Sequence, residues 1–177
     1  MTKKSDEFLK KDKVYEATLR LGYTSTTGDP EGKIQDYSSE GGTEPGKASI
    51  SARAPWRRER ATRPELNTLE SVLQSFIGVI DQTPPKFSAI KIGGERAYKL
   101  ARKGQDFEIP SRKVEIYSIE ILDYNYPELK IRCHVSSGTY IRTLAEDIGK
   151  KLGTGAYLTA LRRLKIADYD VKDASVL

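Results

Sequence analysis

Polar and apolar residues alternate from Tyr15 to Leu21, with Tyr15, Ala17, Leu19 and Leu21 interleaved by Glu16, Thr18 and Arg20. That period of two predicts a half-buried strand ending at Gly22. Thr24 to Lys33 is dense in turn formers, Gly28, Asp29, Pro30 and Gly32 among them, and reads as a loop. A helical period follows from Asn67, a candidate cap with Glu70 in the capping-box position, through Leu69, Val72, Leu73, Phe76 and Ile77 to a stop at Gly78. Pro84 and Pro85 then break the chain, Phe87 to Ile92 reads as extended, and Glu95 to Lys103 as a helix closed by Gly104.

Alternation resumes at Val114 and Ile116 and changes phase to Tyr117, Ile119 and Ile121, as a strand does across a bulge. Leu129, Ile131, Cys133 and Val135 form its expected antiparallel partner, with Lys130, Arg132 and His134 on the opposite face and the connection near Asn125 and Pro127. The strongest helix has Thr139 as its expected cap and Ile141, Leu144, Ala145, Ile148 and Leu152 on one face before Gly153. Leu158, Leu161, Leu164 and Ile166 lead into a last extended piece, and the final DASVL reads as a helix start. Strands mixed with helices, without regular βα alternation, predict an α+β fold, a mostly antiparallel sheet flanked by helices.

Composition changes this picture in three places. The 177 residues suit one core better than two. No run approaches the roughly 18 apolar residues of a membrane span and the first residues lack an apolar signal core, which together predict no membrane association and a cytoplasmic protein. One cysteine, Cys133, and one histidine, His134, cannot assemble a disulfide framework or a Cys/His zinc cluster, and no cofactor motif is present. Cys133, alternating with Ile131 and Val135, reads as a small buried hydrophobe.

The net charge of +5 carries less than it suggests, because Arg53, Arg57, Arg58, Arg60 and Arg63 stand against Glu59 alone in one short stretch. Residues 38–63, rich in Gly, Ser, Pro and Arg and without periodicity, read as a disordered insertion. A case for RNA has to rest on particular elements. One is TPPKFSAIKIGGERAYKLARKG from Thr83, where Lys86, Lys91, Arg96, Lys99, Arg102 and Lys103 interleave with Phe87 and Tyr98. Cations that fix phosphates beside aromatics that meet exposed bases suit a structured RNA loop, and a solvated helix face would show the same charges.

Three blocks in order, DKVYEATLRLG from Asp12, the segment from Thr83, and VSSGTYIRTLAEDIGKKLGTGAYLTALRRL from Val135, resemble the tRNA pseudouridine synthase B family. Outside residues 38–63 the similarity covers nearly the whole chain. It implies part of the pseudouridine synthase catalytic fold, a cofactor-free isomerase, and the T-arm of tRNA as partner. A base that must leave its stack needs an aromatic surface to receive it and groups that hold the backbone. The resemblance gives the first role to Tyr15, makes Arg142 the partner of the catalytic aspartate, and lines the uracil pocket with Tyr140 and Leu161. It gives RNA gripping to the segment containing Lys86, Lys91, Tyr98 and Arg102. From spacing alone Tyr15, Tyr140 and Leu161 could equally be packing residues and Arg142 a solvated cation. An arginine in a first helical turn opposes the helix dipole, however, and so points to an acidic partner.

The family's catalytic motif resembles GTLDPxATG and lies upstream of the strand that begins at Tyr15, yet the fourteen residues before Tyr15 contain no such motif. The expectation is therefore a partial domain over 1–177 without the nucleophilic aspartate, which an N-terminal segment could supply in trans. Asp29, in TTGDPEG, is read as turn chemistry rather than as a substitute. The alternatives are a catalytically inactive tRNA-binding module and a truncated remnant.

Overall fold

The computed structural model describes residues 10–37 and 63–173. The alternating segment forms β1 (Lys13–Leu21), and the turn-rich stretch is bounded by a short hairpin of β2 (Tyr23–Ser25) and β3 (Ile34–Asp36). Then come α1 (Leu66–Gln74), β4 (Gly78–Gln82), a small hairpin of β5 (Lys91–Ile92) and β6 (Glu95–Arg96), and α2 (Ala97–Arg102). The long pair β7 (Arg112–Asn125) and β8 (Glu128–Val135), α3 (Ile141–Leu152), β9 (Ala156–Ile166) and β10 (Tyr169–Asp170) complete the order, with a single 3-10 turn at Val171–Asp173. Among the described residues no helix is long and apolar enough to cross a membrane.

Six strands make one sheet in the order β10-β9-β1-β8-β7-β4, antiparallel at each pairing. Successive side chains of a strand point to opposite faces. Tyr15, Ala17 and Leu19 of β1 and Leu129, Ile131 and Cys133 of β8 therefore share one face, where they meet Ile141, Leu144, Ala145 and Ile148 of α3 and Leu69 and Leu73 of α1. The other face of the central strands carries charge: Glu16 lies opposite Arg132 on β8 and opposite Arg162 on β9. This fold is the α+β arrangement expected from the pattern.

Several expectations are corrected. The extended reading of Phe87 to Ile92 reduces to Lys91–Ile92, and the helix expected from Glu95 begins at Ala97 because Glu95 and Arg96 pair back on β5. β4 falls in what reads as a helix stop and a loop. Neither proposed side-chain cap forms: α1 starts after Glu65 and α3 after Tyr140, both extended, while the Thr139 hydroxyl donates to the Ser136 carbonyl at 2.9 Å. The phase change in β7 is a register shift between Ile116 and Ser118, and Tyr117, placed with the buried positions by the pattern, is 39% exposed at that bulge. Apart from Arg63, whose guanidinium lies 5.4 Å from the Tyr124 ring centroid, the insertion expected at 38–63 lies outside the described residues, as does the last of DASVL after Asp173.

Candidate active site

The first turn of α3 is where segments distant in sequence meet. Its N-terminus is held by Gln82 at the end of β4, fully buried, whose side-chain oxygen accepts from the Tyr140 N–H at 2.7 Å and whose amide donates to the Tyr140 carbonyl at 3.1 Å. A helix leaves its first N–H groups without intrahelical partners, and here a neighbouring strand's amide serves the residue at the cap. The Thr143 hydroxyl reaches the Thr83 carbonyl at 3.5 Å, which ties the chain after β4 to the same turn.

Arg142, in that turn, has three acceptors. Nη1 donates to Asp29 Oδ2 at 2.6 Å and to the Thr27 carbonyl at 3.4 Å, and Nη2 donates to the Phe87 carbonyl at 3.1 Å. The acidic partner inferred from the helix dipole is thus Asp29, and the two side chains are 26% and 19% exposed. Asp29 also performs the turn chemistry read from the sequence: Oδ1 accepts from the Thr27 hydroxyl at 2.6 Å and from the Glu31 N–H at 3.2 Å. Burial alone would raise its pKa, but the Thr27 hydroxyl, the Arg142 guanidinium and the Glu31 N–H together hold the carboxyl below its ordinary value.

The loop reaches α3 because Gly28 is buried with φ +74, and a Cβ there would collide with the Glu146 carboxylate and touch Arg142 Cβ. The Gly28 carbonyl also accepts from the Leu158 N–H at 3.0 Å, joining the loop to β9. Glu146, one turn after Arg142, is pushed up in pKa by burial, with Asp147 and Asp29 acting in the same direction and Lys150 and Arg142 against it. A carboxyl of raised pKa and one of lowered pKa thus flank a single guanidinium.

Tyr15 is buried, 8% exposed, on the face of the sheet that α3 covers. Arg163, opposite it on β9, places its guanidinium 5.5 Å from the ring centroid. A base can stack on that side of the ring only when Arg163 moves aside. Leu161, opposite Ala17, lies on the same face and is 47% exposed, whereas Tyr140 is half-buried at the start of α3. The resemblance-derived residues Tyr15 and Leu161 are therefore brought together, and Arg142 lies on the helix packed against their face.

The basic side chains of the segment from Thr83 make other contacts. Lys86 pairs with Asp106 at 3.3 Å, Arg102 lies 5.7 Å from the Tyr98 ring centroid, and Lys91 is exposed on β5. Its connection to the site is through backbone: Phe87 accepts from Arg142, and the Tyr98 N–H donates to Ser88 at 3.1 Å. Gln82, Glu146 and Arg163 are site groups that the sequence does not single out, and Asp29 is legible there only as a turn residue. Of the three, Glu146 has a local signal, its i,i+4 spacing from Arg142. Among the described residues no three His, Cys, Asp or Glu side chains converge as a metal site would require.

A family model described as TruB family pseudouridylate synthase (N terminal domain) matches residues 51–141, and one described as tRNA pseudouridylate synthase B C-terminal domain matches residues 142–177. The chain is 46% identical to tRNA pseudouridine synthase B of Nitrosospira multiformis over 99% of its own length and 51% of that protein. It is 43% identical to tRNA pseudouridine synthase B of Phocaeicola vulgatus over 97% of its own length and 64% of that protein. It thus spans between half and two-thirds of the length of these curated relatives. Two solved structures share the fold: a Cbf5-Nop10-Gar1 complex, TM-score 0.53 and 24% identity over 91% of this chain and 33% of that one, and an archaeal box H/ACA sRNP Nop10-Cbf5 complex, TM-score 0.54 and 21% identity over 96% and 33%.

Proposed function

The chain belongs to the TruB family of pseudouridylate synthases, and from that premise we propose that it is the Arg142-bearing part of a cytoplasmic tRNA pseudouridine synthase acting on the T-loop uridine. The reaction breaks the N1–C1′ bond of uridine and forms a C5–C1′ bond. The proton lost from C5 balances the one N1 gains, so the isomerisation needs neither oxidant nor cofactor. It does need a positioned carboxylate at the ribose and a partner that fixes it.

The carrying observation is the state of Arg142. A guanidinium has five N–H donors, and three are spent on Asp29, Thr27 and Phe87. Among the described residues nothing takes the other two, which are left for a further acid. Asp29 itself is a poor nucleophile, since Oδ1 takes two donors and Oδ2 takes Arg142. It serves instead to hold the guanidinium, and the reacting aspartate comes from sequence outside this chain. Tyr15 receives the base, Tyr140 and Leu161 line its pocket, and Lys86, Lys91, Tyr98 and Arg102 grip the T-arm.

The test is pseudouridine formation in a synthetic T-arm RNA. The product has the mass of its substrate, so it is read by mass spectrometry after chemical labelling. The expected result is no product from this chain alone and product once the N-terminal portion of the Nitrosospira multiformis relative is added. Product from the chain alone, abolished by Asp29→Asn, would overturn the assignment of Asp29 as a holding group. Binding without product even after that addition would favour the inactive tRNA-binding module.

A further inference from the structure

On the face of the sheet away from α3, strands β8, β1 and β9 and the turn after β10 enclose a groove of about 420 Å³. Arg132, Arg162, Lys165 and Lys172 line it against two acids, Glu16 and Asp170. The charges are not equally compensated. Glu16 is shared between Arg132 at 3.3 Å and Lys130 at 3.7 Å, and Asp170 accepts from the Lys172 backbone N–H at 2.9 Å. Among the described residues Arg162, Lys165 and Lys172 form no ion pair. Arg132 is the compensated cation of the groove, its guanidinium paired with Glu16 at 3.3 Å and with Glu120 at 4.0 Å, while its buried Nε has no acceptor among the described residues. The excess of cations lining one groove calls for an anionic ligand.

The groove is continuous with the candidate site. Among the described residues β10 pairs only with Lys165 and Ile166, and beyond the Gly28 contact at Leu158 none of them covers the edge of β9, where Ala160 to Arg163 are exposed. Arg162 and Arg163 are consecutive on this edge and point to opposite faces, Arg163 toward Tyr15 and Arg162 toward Glu16. From these observations we infer that the groove binds RNA phosphates: the substrate's backbone crosses the open edge of β9 at Arg163 and Arg162 and is held on the far face by Arg162, Lys165 and Lys172. The inference rests on the RNA-modifying reading above and adds a second contact surface remote from Arg142. An acidic protein segment would satisfy the same charges, but continuity with the base-receiving face favours RNA.

Two RNAs separate the possibilities: the isolated T-arm stem-loop, which from the Tyr15 face reaches Arg163 and Arg162 at the strand edge, and a full-length tRNA transcript containing it, which can extend along the groove to Lys165 and Lys172. The triple variant Arg162→Gln, Lys165→Gln, Lys172→Gln changes exposed side chains only. It is expected to lower affinity for the full transcript at least about tenfold and to reduce the slope of log K against log salt by about two to three, as loss of three phosphate contacts requires. Stem-loop affinity should fall by less, about threefold at most, because of the three substituted cations only Arg162 stands beside the base-receiving face. Unchanged affinity for the full transcript, or an equal loss for both RNAs, would overturn the groove assignment while leaving the proposed function standing. Failure of the unaltered chain to bind either RNA would overturn both. Unchanged RNA binding with lost binding of poly-glutamate would reassign the groove to an acidic protein partner.

Discussion

Replacing Asp29 by asparagine keeps the shape of the side chain and an oxygen for the Thr27 hydroxyl and the Glu31 N–H, but removes the charge that faces Arg142. The pair is 2.6 Å apart, with the two side chains 26% and 19% exposed, so it lies between two regimes. Exposed pairs contribute about 0.2–1 kcal/mol, and removing one partner of a buried pair costs about 3–5 kcal/mol. A coupling energy of about 1–2 kcal/mol is therefore expected from a double-mutant cycle of Asp29→Asn and Arg142→Met, measured by urea denaturation. Arg142→Met alone should cost more than Asp29→Asn alone, because it also strips the Thr27 and Phe87 carbonyls of their donor. The pH dependence follows from the lowered pKa. An acid whose folded pKa lies below its unfolded value stabilises the fold above the unfolded pKa and loses that contribution as pH falls through the folded one. The difference in stability between the unaltered chain and Asp29→Asn should thus be full near neutrality and shrink below the ordinary carboxylate range. A coupling under about 0.3 kcal/mol, or a difference that does not change with pH, would refute this account of how Arg142 is held.

Three further outcomes follow from packing. A Cβ on Gly149 would fall on the backbone of Gly155 and Ala156, which cannot swing aside; despite alanine's better helix propensity, Gly149→Ala should cost about 1–3 kcal/mol and lower Tm by several degrees, and an unchanged or raised Tm would contradict it. Gln82→Leu keeps the volume but leaves the half-buried Tyr140 N–H without an acceptor, so about 1–3 kcal/mol should be lost and that amide should exchange faster with solvent; undiminished protection would show that the clamp contributes nothing. Cys133 is fully buried and its thiol is pushed up to about 12 by burial, so a maleimide reagent near neutral pH should modify it only as fast as the chain unfolds, and rapid modification in native buffer would argue against a closed core here.

What could be read along the chain was whatever depends on neighbours in sequence. Alternation from Tyr15 to Leu21 reports a face that β8 and α3 bury, and Ile141, Leu144, Ala145 and Ile148 report the helix stripe that covers it. β4 carries little local signal because it is a short edge strand. Its Val79 is 62% exposed, and its partners Val114 and Ile116 lie far along the chain. The caps were misread because Asn67 and Thr139 satisfy a composition rule whereas capping depends on local geometry, and a buried glutamine from another strand takes over at Tyr140. Asp29 was half legible: its turn role is local, but its ion pair spans 113 residues.

Arg142 carries the longest chain of reasoning. A cation in the first turn of a helix is opposed by the dipole, and nothing in the core needs one there. The fold nevertheless brings three separate acceptors to it, from the loop through Thr27 and Asp29 and from the segment after β4 through Phe87. Each of those segments is anchored elsewhere as well, the loop to β9 through Gly28 and the other to α2 through Ser88. The guanidinium is thus fixed in position before any substrate arrives, and what it does not spend on its own loop is available to a second carboxylate. A merely structural arginine would be as well served by one partner at the surface. Holding it by three, with a glycine required for the loop to come close, is the arrangement expected when the orientation of its remaining donors matters to something that binds.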